Sequence, residues 1–455
     1  MESDTIVAVV TPPGEGGVGI VRASGPLAAS LPPRLFPTLS AGWPSHRLRH
    51  GRMRDPATGR TVDDAMGCLM RAPRSYTGED VAEFHCHGNP LILERVVHLC
   101  LRAGCRPARP GEFTLRAFLN GRLDLTQAEA VLDVVRARGS AGLDLAMDGL
   151  AGSLTRLLGP LRHELVGIVA HLEAMVDFVE DDIPPRADRE TRRHLKDIAT
   201  RLQLIIDGTE GGIILREGAT LAIVGSPNVG KSSIMNGLLG LERSIVTPIP
   251  GTTRDTVEET LSIRGIPIRA VDTAGMTETD DVVEGIGIER GHRALSVADV
   301  ILLVLDRSRP YAPQDEMAVR AAAGAEGRLV IALHKADLPA AADAADIVRL
   351  LAPAAVVESS AVAPGGLDGL REALADAVLG GHREAVVAGN VRHADALRRA
   401  LAALQLAGDA LDAETPIDLV SFDLRAAADA LGEITGDNVD DELLDRIFRE
   451  FCIGK

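Results

Sequence analysis

Gly225-Ser226-Pro227-Asn228-Val229-Gly230-Lys231-Ser232 decides the fold of the central part of the chain. The apolar run Thr220-Leu221-Ala222-Ile223-Val224 precedes it, and Ser233-Ile234-Met235-Asn236-Gly237-Leu238-Leu239 follows with the pattern of a helix. Strand, glycine-rich loop and helix are the context in which this spacing binds phosphate. The glycines at 225 and 230 let backbone N–H groups converge on phosphate oxygens, and the helix N-terminus adds partial positive charge. Lys231 is placed to reach the β- and γ-phosphates, and the Ser232 hydroxyl to ligate Mg²⁺. Pro227 donates no N–H, but the later loop amides remain. The bland alternative is a glycine-rich turn beside a surface lysine; the complete match and its flanks argue against it.

Three further segments follow in order. Ile268-Arg269-Ala270-Val271-Asp272-Thr273-Ala274-Gly275 predicts a strand ending in Asp-x-x-Gly. Asp272 can hold a Mg²⁺-bound water, and the Gly275 N–H can sense a γ-phosphate. Residues 300–306 read as a buried, parallel-type strand. Residues 329–337 read as another, ending in His334-Lys335-Ala336-Asp337. The Asp337 carboxylate can accept from guanine N1 and the exocyclic amine, which adenine does not offer, and Lys335 can lay its stem over the base. Ser359-Ser360-Ala361 follows a short strand at 355–357 and can supply a base-contacting backbone N–H. Each of these motifs is weak alone; the ordered set points to GTP.

The 455 residues suggest two to four domains. Aromatics make up only 2%, so the cores must be built from Leu, Ile, Val and Ala. A net charge of −17 argues against a general nucleic-acid coat, while leaving room for a local basic groove. Five cysteines, with no C-x-x-C pair and no zinc spacing, imply free thiols in a reducing, cytoplasmic compartment. The acidic Met1-Glu2-Ser3-Asp4 start is followed by no apolar h-region, so no signal peptide is expected. Nor is there a stretch of about 20 apolar residues to span a membrane.

From the beginning, residues 5–10 predict a strand, 11–17 a loop and 18–22 a second strand. Arg22 beside this glycine-rich loop either holds an anion or is a surface arginine at a strand end. The basic stretch 46–54 reads as a solvated strand pair, 63–72 as a strand and 74–80 as a polar loop. Residues 81–88 alternate as a strand. Their His85-Cys86-His87 triplet suggests a metal site, but alternation puts the two histidines on one face and Cys86 on the other. Helices are predicted at 90–103, from 110 to 120, at 125–138, at 143–177 and at 187–207. Their Leu and Ala repeats suggest a bundle. Glu180-Asp181-Asp182 reads as a solvated loop, and 210–217 as a link into a nucleotide domain at 218–380. Helical pattern resumes at 394–411, 419–431 and 440–451. Helical regions on both sides of an α/β domain indicate insertion into one bundle. The expected fold class is therefore α/β and α multidomain. At the end, Phe451-Cys452-Ile453-Gly454-Lys455 is either a frayed tail or a docked segment that places a reactive thiol.

Several motifs outside the nucleotide domain are specific. They are Thr11-Pro12-Pro13-Gly14 with Gly16-Gly17-Val18-Gly19-Ile20, Tyr76-Thr77-Gly78-Glu79-Asp80, and Glu83-Phe84-His85-Cys86-His87-Gly88. Gly111-Glu112-Phe113-Thr114, Leu123-Asp124-Leu125-Thr126-Gln127-Ala128-Glu129-Ala130 and the 451–455 ending complete the set. On these residues, and over essentially its whole length, the chain resembles the bacterial MnmE (TrmE) family of tRNA-modification GTPases, in the TrmE-Era-EngA-like class. The resemblance implies an N-terminal α/β folate-binding-like and dimerisation domain at 1–120. It also implies a discontinuous helical bundle at 121–217 and 381–455, and an inserted Ras-like P-loop GTPase domain at 218–380.

The resemblance further implies a homodimer that acts with the FAD-dependent partner MnmG (GidA), in a heterotetramer or larger complex. Together they would add an aminomethyl or carboxymethylaminomethyl group to C5 of a tRNA wobble uridine. The carbon would come from 5,10-methylenetetrahydrofolate, with 5-formyltetrahydrofolate as an analogue. Arg22, Glu83, Arg122 and Lys455 fall on folate-contacting positions. Arg122 stands where relatives can carry Lys, which keeps the charge but changes the fork geometry. Cys452 matches a C-terminal cysteine implicated in function. In the GTPase domain, the resemblance implies that K⁺ replaces an arginine finger, held by Asn228, the carbonyls of Thr247 and Ile249, and Thr252. Such a cation neutralises charge that develops during phosphoryl transfer. Thr253 would ligate Mg²⁺ with Ser232, and Glu284 would orient or activate the attacking water.

One departure is His334, where the base-recognition motif usually opens with Asn. An imidazole offers one donor and one acceptor, so guanine preference with weaker nucleotide affinity is expected. Two other classes are distinguishable. A ribosome-assembly GTPase would share the K⁺-type loop but not the folate motifs or the terminal cysteine. A nucleotide-gated scaffold would bind GTP yet need neither Glu284 nor Cys452.

Overall fold

A computed structural model describes residues 4–39, 42–177, 186–241, 259–272, 295–380, 386–413 and 415–455. It divides into two units, Met1–Leu132 with Gly432–Lys455, and Asp133–Leu431.

The first unit is built on a six-stranded sheet of β1 (Ile6–Val9), β2 (Gly16–Ser24), β3 (Arg49–Arg54), β4 (Thr61–Met70), β5 (Val81–Gly88) and β6 (Arg106–Pro107). Their spatial order is β3-β4-β5-β2-β1-β6. All neighbours are antiparallel except β1 and β6. The short α1 (Leu31–Leu35), then α2 (Pro90–Arg102), α3 (Glu112–Leu119) and the start of α4 (Leu125–Arg136) accompany the sheet. Alternation sends Val7, Val21, Ala23, Leu69 and Phe84 into one core with Leu93, Val96 and Leu99 of α2. Helix α2 starts where its sequence dictates: Asn89 caps the Leu91 N–H, and Pro90 takes the first helical position. The opposite sheet face carries a smaller cluster of Ile6, Ala8, Ala108 and Phe113, with Tyr76 packed on it. The two faces thus divide the labour: one is filled by α2, the other holds the polar residues considered below.

The last helix, Asp441–Arg449, and the tail after it complete this unit. Phe448 and Phe451 are buried, with ring centroids 5.4 Å apart. Ile453 forms an antiparallel bridge with Pro110, and Lys455 O accepts from the Phe113 N–H at 3.1 Å. Of the two readings of the 451–455 ending, the docked segment is the one observed.

The second unit contains β7 (Ala219–Val224), β8 (Glu259–Ile263), β9 (Ile266–Asp272), β10 (Val300–Asp306), β11 (Arg328–His334) and β12 (Ala355–Ser359). Their order is β12-β11-β10-β7-β9-β8, parallel throughout except for the β8–β9 hairpin. Every residue of β7 and β10 is buried, as a parallel sheet covered on both faces requires. Ile223, Leu302 and Val304 face a core shared with Ile234 and Leu374, while Ala222, Ile301 and Leu303 face one shared with Val319 and Ala322. β8 is not among the strands predicted from the sequence.

Among the described residues the unit's helices are α5 (Ser140–Leu150), α6 (Ser153–Asp177), α7 (Arg186–Glu217), α8 (Lys231–Leu241), α9 (Pro313–Ala323), α10 (Ala345–Leu351), α11 (Asp368–Leu379), α12 (Val391–Asp412) and most of α13 (Ile417–Thr435). The expected link at 210–217 is helical instead, the last two turns of α7. Pairs between Arg398 and Glu210 and between Arg192 and Asp412 tie α12 along α7. No described helix is long and apolar enough to cross a membrane. The Glu180-Asp181-Asp182 loop lies outside the described residues.

Candidate functional site

β7 delivers the chain to Gly225, and α8 begins at Lys231. The loop between them needs left-handed backbone at two places, Asn228 (φ 61°) and Gly230 (φ 106°). At Gly230 an added Cβ would also lie 2.4 Å from the His334 ring, so only glycine fits. The Lys231 ammonium donates to the carbonyls of Gly225 (2.6 Å) and Ser226 (2.9 Å), which holds it at the mouth of the loop. Ser232 follows in the first turn of α8. Asp272 closes β9 one strand away, its backbone in register with Ile223. This is the strand–loop–helix geometry that cradles a polyphosphate.

The residues expected to read the base sit at the ends of β11 and β12. Lys335, also left-handed (φ 60°), donates to Asn228 O at 3.0 Å and to Asp306 at 2.6 Å. It thereby joins the ends of β10 and β11 to the 225–232 loop. Asp337 accepts from Ser360 Oγ at 2.6 Å, and that bond holds its carboxyl below the usual range. Ser360 thus acts through its side chain on Asp337, a contact not anticipated from the motif; Ala361 follows it in the same loop. His334 is buried, with Nδ1 3.0 Å from Ser359 Oγ and its other ring edge against Gly230. Burial, and then the neighbouring Lys335 ammonium, depress the imidazole pKa, so the ring is neutral near pH 7. It fills the gap between the two loops by shape as much as by hydrogen bonding.

A second constellation occupies the sheet face of the first unit that α2 leaves uncovered. β2 and β5 pair Arg22 directly with Glu83. Arg22 Nε donates to Glu83 at 2.8 Å, and both side chains are mostly buried. The guanidinium lies 5.2 Å from the Tyr76 ring centroid and 5.6 Å from that of Phe113. Burial would raise the Glu83 pKa, but His85 and Arg22 outweigh it and keep the carboxylate ionised. The surface-arginine reading of Arg22 is therefore not what is observed. Phe113 then links this pair to the tail: its ring packs on Arg22 while its N–H donates to Lys455 O. Arg122 reaches the same loop as Tyr76, donating from Nε to Ser75 O at 3.1 Å. Arg22, Glu83 and Arg122 are thus gathered around Ser75, Tyr76 and Phe113; the Lys455 backbone joins them through Phe113, and the Cys452 carbonyl lies 3.5 Å from the Gly111 nitrogen.

Cys452 is the exposed thiol. Cys86 and Cys105 are buried, and burial pushes their thiols up to about 12 and about 11. Cys100 is buried and pushed up further. His85 and His87 lie on one face of β5, with Glu83 and Asp63 respectively, while Cys86 points into the α2 core. Among the described residues no group of three or more His, Cys, Asp or Glu could hold a metal ion. Glu284, Thr247, Ile249, Thr252, Thr253 and Gly275 lie outside the described residues. Sequence reasoning missed Asp306, Arg309 and Asp315, which surround the phosphate loop. An aspartate closing a wholly apolar strand was the available signal for Asp306.

A family model described as the GTP-binding protein TrmE N-terminus matches residues 5–122, and one described as the MnmE helical domain matches residues 125–452. The chain belongs to the MnmE family of tRNA modification GTPases. A tRNA modification GTPase MnmE from Geobacillus kaustophilus (strain HTA426) is 43% identical, with 100% of each chain covered. Its counterpart from Chloroflexus aurantiacus (strain ATCC 29366 / DSM 635 / J-10-fl) is 46% identical, again over 100% of each. Among solved structures, Aquifex aeolicus Era bound to GDP.AlF4- is 27% identical, covering 41% of this chain and 67% of that one, with a TM-score of 0.27. The G domain of the T. maritima FeoB iron transporter is 24% identical, covering 35% of this chain and 98% of that one, with a TM-score of 0.26. As a member of the MnmE family the protein is a GTP hydrolase acting in tRNA modification.

Proposed function

We propose that this GTPase is potassium-activated and works with an FAD-dependent partner to add an aminomethyl-type group to C5 of the wobble uridine of tRNA. The observation that carries the proposal is Phe113, which packs on Arg22 and hydrogen-bonds Lys455. That link sets the tail bearing Cys452 beside a buried arginine–carboxylate pair. The proposed assignment of domains is 1–120 for folate binding and dimerisation, 121–217 and 381–455 for the helical domain, and 218–380 for the inserted GTPase domain.

The donor set suits a folate. Arg22, Arg122 and Lys455 offer positive charge to a glutamate tail, Glu83 offers an acceptor to ring N–H groups, and Tyr76 and Phe113 offer flat apolar surface. When bound, methylenetetrahydrofolate would supply the one-carbon unit. Glu83, kept ionised by Arg22 and His85, would orient it. Cys452 would bring an exposed thiol to the same face.

In the GTPase domain, Lys231 and the loop amides would position the phosphates, with Asp272 and Gly275 beside them. Ser232 and Thr253 would hold Mg²⁺. Asn228, Thr247, Ile249 and Thr252 would hold K⁺, and an amide oxygen at Asn228 is a suitable hard ligand. Glu284 would orient the attacking water. Lys335, Asp337, Ser360 and Ala361 would read guanine. GTP turnover would then switch the dimer between open and closed arrangements.

The test is reconstitution with the flavoprotein partner, tRNA, methylenetetrahydrofolate, GTP, K⁺, Mg²⁺ and an amine donor, followed by mass analysis of tRNA nucleosides. Modified wobble uridine is expected with the wild type, and none with Cys452→Ser or Glu284→Ala. Glu284→Ala should slow hydrolysis by roughly 100-fold while leaving GTP binding close to normal. Full modification by the partner alone would defeat the proposal.

A further inference from the structure

The phosphate loop is gripped from outside by side chains to which the reaction above gives no role. Asp315, in the first turn of α9, is 1% exposed. Its Oδ1 accepts from Ser226 Oγ at 2.5 Å. Arg309 forks onto the same carboxylate, Nη1 to Oδ2 at 2.8 Å and Nη2 to Oδ1 at 3.0 Å. Nη2 also lies 3.1 Å from Ser226 Oγ. Asp315 Oδ2 accepts the Ala312 N–H at 2.8 Å, which ties the carboxylate to the start of its own helix. On its other side, Arg309 Nε lies 3.8 Å from Asp306. Asp306 is nearly as buried, and Lys335 carries its charge on to Asn228 O.

These contacts close a ring. It runs from Ser226 through Asp315, Arg309, Asp306 and Lys335 to Asn228, and returns along the loop itself. Two buried carboxylates face two cations, so the ring is neutral as a whole. Burial pushes both carboxyls up, but their partners outweigh it and hold both below the usual range. Arg309 is the only member of the ring that touches both acids. Without it Asp315 would be a buried carboxylate lacking its counter-charge, which is unfavourable.

We propose that Arg309 is a positioning residue of the nucleotide site. Through Asp315 it fixes the phosphate loop at Ser226, and through Asp306 and Lys335 it fixes the same loop at Asn228. The phosphate and base ends of the nucleotide are thereby held in one register. The inference rests on the GTPase reading of the chain.

The test uses the full chain, with fluorescent GDP titration and steady-state GTP hydrolysis. Nucleotide-free thermal unfolding of each variant reports whether it folds. Arg309→Met should weaken GDP binding by about tenfold or more, the usual effect of losing a hydrogen bond to a charged group. Arg309→Lys keeps the charge without the fork and should recover part of the loss. Ser226→Ala leaves the Arg309–Asp315 pair intact but opens the ring, and should also weaken binding. The double variant should lose less than the product of the two singles, because both open one circuit. Unchanged GDP affinity in folded Arg309→Met, or full additivity with Ser226→Ala, would overturn the proposal. If Arg309→Met does not fold, unchanged affinity in both Arg309→Lys and Ser226→Ala overturns it equally. Wild-type binding is measured in the same titration, so a chain that binds no GDP at all is told apart from a failure of the ring.

Discussion

At residue 334 the structure puts an imidazole into a space bounded by Gly230 on one side and Ser359 on the other. The charged groups near it are the Lys335 ammonium and the carboxylates of Asp337 and Asp306. Burial, followed by Lys335, holds its pKa under the ordinary 6.5. The unfolded chain therefore takes up this proton at a higher pH than the folded one. Stability from the neutral ring is fully present above 6.5 and is lost as pH falls from there through the folded value. Urea unfolding of wild type and His334→Asn, compared between about pH 7 and about pH 5, should show the wild type losing ground to the variant on the acid side. A constant difference across that range would sink this account. Residues such as Lys231 and Asp337 could be singled out because phosphate and guanine chemistry asks for those types at fixed spacing. Asp306, Arg309 and Asp315 were not, since their value lies in partners on other strands and loops. The sequence shows Arg309 and Asp315 as ordinary surface charges, and Asp306 only as the end of a buried strand. His334 was legible as a departure, but its fit against Gly230 was not.

Among the elements, the tail is the one that docks on the first unit at Pro110 and Phe113. Gly454 has φ 98°, and an added Cβ would lie 2.4 Å from Val9 O. Gly454→Ala should therefore cost about 1–3 kcal/mol locally and release the tail. Amide exchange at Phe113 reports this directly, because its N–H donates to Lys455 O. Faster exchange at Phe113 is expected, and unchanged protection would show that the tail is held by something else. The strands that place Arg22 and Glu83 were readable from alternation, which fixes the face of each residue once a strand is granted. Their direct pairing was not readable, because register is a property of two strands. Two elements went unread for identifiable reasons. Gly211-Gly212 looks like a linker, yet an added Cβ at Gly212 would lie 2.1 Å from Val387 O. Close packing of a neighbouring segment, rather than flexibility, explains that glycine within α7. The β8–β9 turn uses Arg264 (φ 53°) and Gly265 (φ 78°), a two-residue pattern with no Asn-Gly or Asp-Gly signature to announce it.

At the scale of the whole molecule, the proposed cation mechanism predicts a dependence that no single described residue reveals. Steady-state GTP hydrolysis, measured in KCl and in NaCl at equal ionic strength, should be faster in KCl by on the order of 100-fold, the usual effect of one well-placed transition-state charge. Equal rates would remove K⁺ from the reaction. The fold class was legible because a fully apolar strand pattern flanked by helical repeats leaves few architectures open. It was less legible that the last helix and tail belong with the N-terminal sheet, since no local pattern announces a partner so far along the chain. That arrangement bears on how the protein is made. The ribosome delivers 1–132 before 432–455, so the sheet of the first unit waits for that later segment while 133–431 emerges. Phe448 and Phe451 reach their places only then. Translation interrupted anywhere between 381 and 431 would release a chain with residues 225–232 and 334–337 present and the 432–455 segment missing. Such a product would have an unfinished first unit and a nearly complete second one, and its quality control would have to recognise the former.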